Sequence, residues 1–467
     1  MSDFSTYQSP LAWRYGSDEM RRIWSEREKR LLWRRVWVAL AEVQSEFGLV
    51  TPEQLADLRA HMDAVDVPRA LEIEAEIHHD VMAELKTFAG QAPLGGKVLH
   101  LGATSADITD NADALRLRRA LDLVLSRLAE LLRLLADLIE AHAEAPIMGF
   151  THLQPAEPTT LGYRLALYAQ DLFEDYRDLK AQRAALRGKG FKGAVGTGAS
   201  YAKLLGAENL PEFERRLSEK LDLPFYPVAA QTTPRKQEYR LLCALAALGA
   251  SLHKFAFDLR ILQSPPLGEL SEPFGEKQVG SSAMPFKRNP VRSEKMNSLA
   301  RLLATLPRPA WDNAALSLLE RTLDDSANRR LILPQAFLLA DELLIAARRI
   351  LSDLRVDEGA LRRTLSLYAP FAATERLLMA LVKSGADRQA MHERIRQHAM
   401  RAWEAIRRGE PNPLAESLGG DEVLRNYLSE GEIRALLKPS AYVGDAPRRA
   451  RELRETILRE VAPPHSA

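Results

Sequence analysis

The sequence predicts an all-α protein whose central domain is a bundle of long helices. Three observations carry that expectation. Five segments read as helices far longer than the average of about 11 or 12 residues: one around Leu117–Ile139, then 163–187, 235–263 broken only by Gly249, 290–306 and 321–354. In the first, Leu117, Leu121, Leu125, Leu128, Leu132, Leu135 and Ile139 recur at spacings of four and three, with Val124, Leu131 and Leu138 as a second stripe; such a helix is buried on more than one side. The chain of 467 residues exceeds what one hydrophobic core serves. Its texture also changes after Val356 to short helices punctuated by Gly385, Gly409, Pro411, Pro413 and Gly419-Gly420. The expected domains are residues 1–104, helical; 105–355, the long-helix bundle; and 356–467, helical. Apolar stripes wider than one neighbour can cover imply burial against further copies of the chain.

Composition narrows the function classes. Lys and Arg total 64 against 63 Asp and Glu, so no net field favours nucleic acid or an anionic membrane. Any anion site must be local. Cys243, the single cysteine, sits in the apolar run Leu241–Leu245 and reads as a buried small hydrophobe. The first residues, Met1 to Thr6, lack the charged start and apolar core of a secretory signal. No stretch of about 18 uncharged apolar residues appears, so no bilayer span is expected. A reducing, cytoplasmic compartment fits these features.

Along the chain, Ser9-Pro10-Leu11-Ala12-Trp13-Arg14-Tyr15-Gly16 is too broken for a helix, and 19–47 is an amphipathic run closed by Gly48. Thr51-Pro52 starts a fresh helix. The His78-His79-Asp80 cluster invites a zinc reading. Adjacent histidines on a helix diverge by roughly 100°, however, whereas helical zinc pairs sit at i and i+4, so no metal is expected and a hydrogen-bonding or electrostatic role for one histidine is preferred. Thr104-Ser105 through Asp110-Asn111 crowds hydroxyls and acids before the long apolar repeat, a pattern that suits helix capping and also offers donors to an anion. The connections between long helices are polar: Thr151-His152-Leu153-Gln154-Pro155-Ala156, the glycine-rich 189–198, Gln231-Thr232-Thr233-Pro234-Arg235-Lys236, and Gly280-Ser281-Ser282-Ala283-Met284-Pro285-Phe286-Lys287-Arg288-Asn289-Pro290. The glycine-rich segment has neither the spacing nor the preceding strand of a nucleotide fingerprint and reads as a turn.

Occurring together and in this order, residues 280–290, 151–156, and 102–105 with Asp110-Asn111 resemble the motif regions of the fumarase/aspartase superfamily, over nearly the whole chain. The resemblance implies a homotetramer with a shared central bundle, each active site assembled from three subunits, no cofactor and no metal. It implies β-elimination of fumarate, with Ser281 as general base and His152 as general acid. Lys287 would stabilise the carbanion and His79 support the acid. The segments Arg14-Tyr15, His78 to Met82, 231–236 and 320–330 further imply an anionic, phosphate-bearing small-molecule substrate. Its binding residues would be Arg14, Tyr15, His78, Asp80, Thr104, Ser105, Thr151, Gln231, Asn289, Arg321, Ser326 and Arg330. Some relatives carry arginine where this chain has His78 and Lys295. Two rivals stand beside this reading: another superfamily reaction, such as argininosuccinate cleavage or a cycloisomerisation, and a helical scaffold that has lost catalysis.

Overall fold

The computed structural model describes residues 4–438 and 442–461; Met1–Asp3, the start of the segment read for a secretory signal, lie outside them. The chain is all-α, with two small antiparallel strand pairs among the described residues. The elements used below are α1 (Glu26–Glu46), α2 (Val67–Ile77), α3 (Asp80–Gln91), α4 (Ser105–Ala141), β1 (Pro146–Thr151), β2 (Gln154–Thr160), α5 (Leu161–Ala185), α6 (Lys236–Leu262), α7 (Val291–Leu303), α8 (Asp324–Leu351), α9 (Glu358–Ala372) and α10 (Thr374–Lys383).

Two compact units result, one of residues 1–128, 175–250 and 298–345, the other of 129–174, 251–297 and 346–467. In the first, α1 buries Leu31, Leu32, Val36, Trp37, Leu40 and Val43. It also buries charge. Arg34 Nε lies 2.6 Å and Arg30 Nη1 3.3 Å from the fully buried Glu84 of α3, a network that fixes α3 against α1 and tolerates no lost partner. In the second, the residues after α9 build their own cluster around Leu377, Leu381, Leu414, Leu418, Leu424 and Ile433.

Of the apolar repeat of α4, Leu117, Leu121, Val124, Leu128, Leu131, Leu132, Leu135 and Ile139 are buried, while Leu125 and Leu138 are half-buried. Elsewhere the structure differs in instructive ways. The run 19–47 is two helices, Asp18–Ile23 and α1, because Ser25 caps α1 by accepting the Glu28 N–H at 3.1 Å. Residues 10–12 form a single 3-10 turn, capped by Ser9. Cys243 is half-buried rather than buried. Among the described residues, α6 and the stretch Glu358–Lys383 reach the length and apolarity of a membrane-crossing helix, each with mean hydropathy 1.3, a test of length and composition that core helices also pass. Their windows are 44% and 39% buried within the protein.

Candidate active site

Within the first unit, a cavity of about 390 Å³ collects side chains from segments far apart in sequence. The junction of α2 and α3 supplies His78, His79 and Asp80; the start of α4 supplies Ser105, Thr109, Asp110, Asp113 and Arg116; Gln231 and Arg235 precede α6; Arg321, Ser326, Arg329 and Arg330 come from α8 and the turn before it. Eight residues singled out from sequence line this wall: His78, His79, Asp80, Ser105, Gln231, Arg321, Ser326 and Arg330.

The histidines are not on one helix. His78 ends α2 in the left-handed region (φ 54°), and His79 caps α3, its Nδ1 accepting the Met82 N–H at 3.3 Å. Spending Nδ1 as an acceptor leaves Nε2 as the ring nitrogen that carries the proton in the neutral tautomer. Arg14, Tyr15 and Thr104 belong to the same unit but not to the cavity wall. Arg14 lies over the Trp13 and Tyr15 rings at 5.7 and 5.9 Å, while the Thr104 N–H donates to Asp107 at 3.0 Å.

Charge in the cavity is held in pairs. Arg235 bridges Asp325 at 2.7 Å and Asp110 at 2.9 Å, Arg329 reaches Glu238 at 2.5 Å and Asp113 at 3.2 Å, Arg321 meets Asp325 at 3.1 Å, and Arg330 meets Asp80 at 2.8 Å. Burial would push the Asp110 carboxyl up, yet Arg235 and Arg329 hold it below the ordinary carboxylate value. At Asp113 burial outweighs Arg329 and Arg116 and pushes the carboxyl up. The signs are therefore opposite. Asp110 contributes stability above its unfolded value that is lost as pH falls through its depressed folded value. Asp113 contributes stability at low pH that is lost as pH rises through its raised folded value. Asp113→Asn, which mimics the protonated acid, is expected to raise the unfolding temperature at pH 7 to 8, with the gain vanishing in acid. A melting series across pH checks this.

Thr151, His152, Ser281, Lys287 and Asn289 lie in the second unit. His152 and Leu153 form the two-residue turn of the β1–β2 hairpin, with φ of 53° and 58°, and Thr151 pairs with Gln154. Two successive positive φ values define a type I′ turn, normally built from Asn and Gly. The imidazole is thereby presented at an exposed tip, beside a Leu153 that is 70% exposed. The 280–290 loop closes on itself: Asn289 Nδ2 donates to the Gly280 carbonyl at 2.9 Å. A Cβ on Gly280 would lie 2.1 Å from the Lys287 carbonyl oxygen, so Ser281 and Lys287 flank one tight neck. Ser281 Oγ accepts N–H groups from Ala283 at 3.3 Å and Met284 at 3.1 Å. Below the loop, Glu272 anchors the first turn of α7 through the Arg292 and Ser293 N–H groups at 3.1 and 3.0 Å.

Residues 13–303 match a family described as "Lyase", and residues 370–453 one described as "Adenylosuccinate lyase C-terminus". The chain is 40% identical over 455 residues to the adenylosuccinate lyase of Saccharomyces cerevisiae, covering 96% of this chain and 94% of the relative. It is 37% identical over 461 residues to that of Pyrococcus abyssi, covering 97% of each. The chain belongs to the adenylosuccinate lyase family. Among solved structures, a 3-carboxy-cis,cis-muconate lactonizing enzyme from Pseudomonas putida superposes with TM-score 0.85 at 27% identity, over 97% of this chain and 100% of that one. A fumarate lyase from Mesorhizobium sp. BNC1 gives 0.83 at 25% identity, over 96% and 99%.

The sequence reading missed part of what lines the cavity in this member of the adenylosuccinate lyase family. Trp24, Lys29, Trp33, Asp113 and Arg116 are wall residues. A signal for two of them existed: Ser105, Thr109, Asp113 and Arg116 follow one another at spacings of four and three, a polar stripe on a helix otherwise striped with leucine.

Proposed function

We propose that this chain releases fumarate by β-elimination from adenylosuccinate, giving AMP, and from the succinyl-carboxamide ribotide SAICAR, giving AICAR. The observation that carries the reading is the cavity, which gathers His79, Ser105, Gln231, Arg321, Ser326 and Arg330 from four separated segments in a chain of net charge +1. A phosphate and two carboxylates need such local cations, and arginine's fork suits both groups.

In the reaction a C–H bond next to a carboxylate breaks, its electron pair forms the C=C bond of fumarate, and the C–N bond breaks with a proton delivered to nitrogen. Ser281 takes the carbon-bound proton. A serine hydroxyl is a poor base, and the two N–H groups aimed at Ser281 Oγ support it by stabilising negative charge on that oxygen. Lys287, across the same neck, offsets the charge of the carbanion. His152 protonates the departing nitrogen, and His79 holds a substrate carboxylate or tunes that acid. The steps need no metal or cofactor.

The exposed position of His152 at a hairpin tip and of Ser281 on a loop suits groups delivered to a cavity on another copy. The assembly proposed is a homotetramer with active sites shared between subunits, acting in the cytoplasm. Neither nucleic acid nor membrane is part of this reading. Incubating the purified protein with adenylosuccinate and following fumarate release tests it; turnover of argininosuccinate in place of adenylosuccinate would overturn it. The loop geometry adds a prediction. Gly280→Ala forces the Lys287 carbonyl away, and because displacements near 1 Å can cost about a hundredfold, kcat should fall about ten- to a hundredfold. The unfolding temperature should hold, since the loop is exposed.

A further inference from the structure

The geometry points to Asp80 as a residue that, acting through Arg330, weakens the hold of the cavity on small anions. This inference rests on the cavity being the substrate site. Arg330 Nη2 lies 2.8 Å from Asp80 Oδ2, with the arginine side chain 54% exposed and the aspartate 20%. The deeper arginines are committed differently. Arg235 is pinned between the buried Asp110 and Asp325, and Arg329 between the buried Glu238 and the partly buried Asp113, and pulling either away would strand a buried charge. Arg330 has one carboxylate partner at the wall and is the exposed end of that pair, so it can change partners.

Asp80 is held independently of Arg330. Its Oδ1 accepts the Val81 N–H at 2.8 Å in the first turn of α3. A twelve-residue helix start favours a negative group, so the Asp80 carboxylate sits where an incoming phosphate would gain from both the helix and the guanidinium. An anion binding at Arg330 must displace or share this resident carboxylate. That cost is the same for every anion, but its consequences differ. A substrate with further contacts to Arg321, Ser326 and Gln231 overcomes it. Free inorganic phosphate, with few contacts beyond Arg330, does not. Asp80 therefore keeps the empty site from filling with phosphate and shortens the stay of the phosphate-bearing product.

The test is inhibition by inorganic phosphate, competitive with adenylosuccinate. Asp80→Asn keeps an acceptor for the Val81 N–H, so the helix start and the unfolding temperature should be preserved. The inhibition constant is expected to fall about fivefold, roughly 1 kcal/mol at tenfold per 1.4 kcal/mol, in line with a partly exposed ion pair. Arg330→Gln should raise both that constant and the substrate KM, and adding Asp80→Asn to it should change the constant no further. An unchanged phosphate constant in Asp80→Asn, with Arg330→Gln raising it, would sink the role of Asp80 and leave the site standing. An Asp80→Asn effect that persists in the Arg330→Gln background would also overturn it. If Arg330→Gln moves neither phosphate inhibition nor KM, the cavity is not the phosphate site and both readings fall together.

Discussion

Ser281→Ala and His152→Asn are each expected to lower kcat by at least about a hundredfold, the usual worth of a general base or acid. The substitutions differ because the backbones differ. His152 sits at φ 53°, a region asparagine enters more readily than alanine, so His152→Asn removes the acid without adding turn strain. Ser281 lies on an exposed loop whose neck is closed by Gly280, Lys287 and Asn289, and alanine there removes only the oxygen that receives two N–H groups. Both variants should keep their unfolding temperature. Mixing the two inactive proteins, with subunit exchange, should restore about a quarter of the wild-type sites if base and acid come from different copies, since each intact group is drawn independently from half the chains. Normal kcat in either variant removes that residue from the chemistry. Mixing without recovery, when exchange is demonstrated, refutes the shared site.

What the sequence made legible depends on how local each physical signal is. The apolar stripes of α4 repeat every three or four residues, and nothing distant is needed to read them. The 151–156 motif was legible as polar chemistry but not as a hairpin. Its turn is His152-Leu153 rather than Asn-Gly, and β2 carries Pro155 and Pro158, residues that argue against a strand. The break at Trp24 was hidden because the amphipathic pattern runs through it, and only the Ser25 cap separates the two helices. At the site, the arginines were legible one by one, but their partners were not. Arg329 with Glu238, and Arg235 with Asp110, are separated by 91 and 125 residues, and pairings at that range come from packing alone. The sequence suggests a hydrogen-bonding or electrostatic role for one of the paired histidines; within the chain, His79 Nδ1 accepts the Met82 N–H of its own helix, a cap that adjacency in sequence does not reveal.

Asp107→Asn is expected to be the most destabilising conservative change near the cavity, costing about 3 to 5 kcal/mol, as breaking a buried ion pair does. Asp107 and Lys189 are both fully buried and in direct contact. One oxygen of Asp107 takes the Lys192 and Gly193 N–H groups at 3.2 Å each, and the other takes Thr104 N–H at 3.0 Å and the Tyr201 hydroxyl at 3.2 Å. Tyr201 remains a donor throughout the working pH range, because burial first and the Asp107 charge second push its hydroxyl well above the ordinary tyrosine value. One carboxylate thus fastens the glycine-rich segment 189–198 to the start of α4, next to Thr104 and Ser105. The segment that sequence reads as a turn is in effect a clamp. Asparagine preserves the shape and some acceptors but strands the Lys189 cation, whose remaining partner is the Gly193 carbonyl at 2.9 Å. If the charge is the cause, Lys189→Met in the Asp107→Asn background should recover much of the loss, since a buried pair replaced by apolar groups is often neutral. Urea unfolding of the single and double variants measures this. A double variant no more stable than Asp107→Asn alone would place the loss in the hydrogen bonds of the clamp rather than in the buried charge.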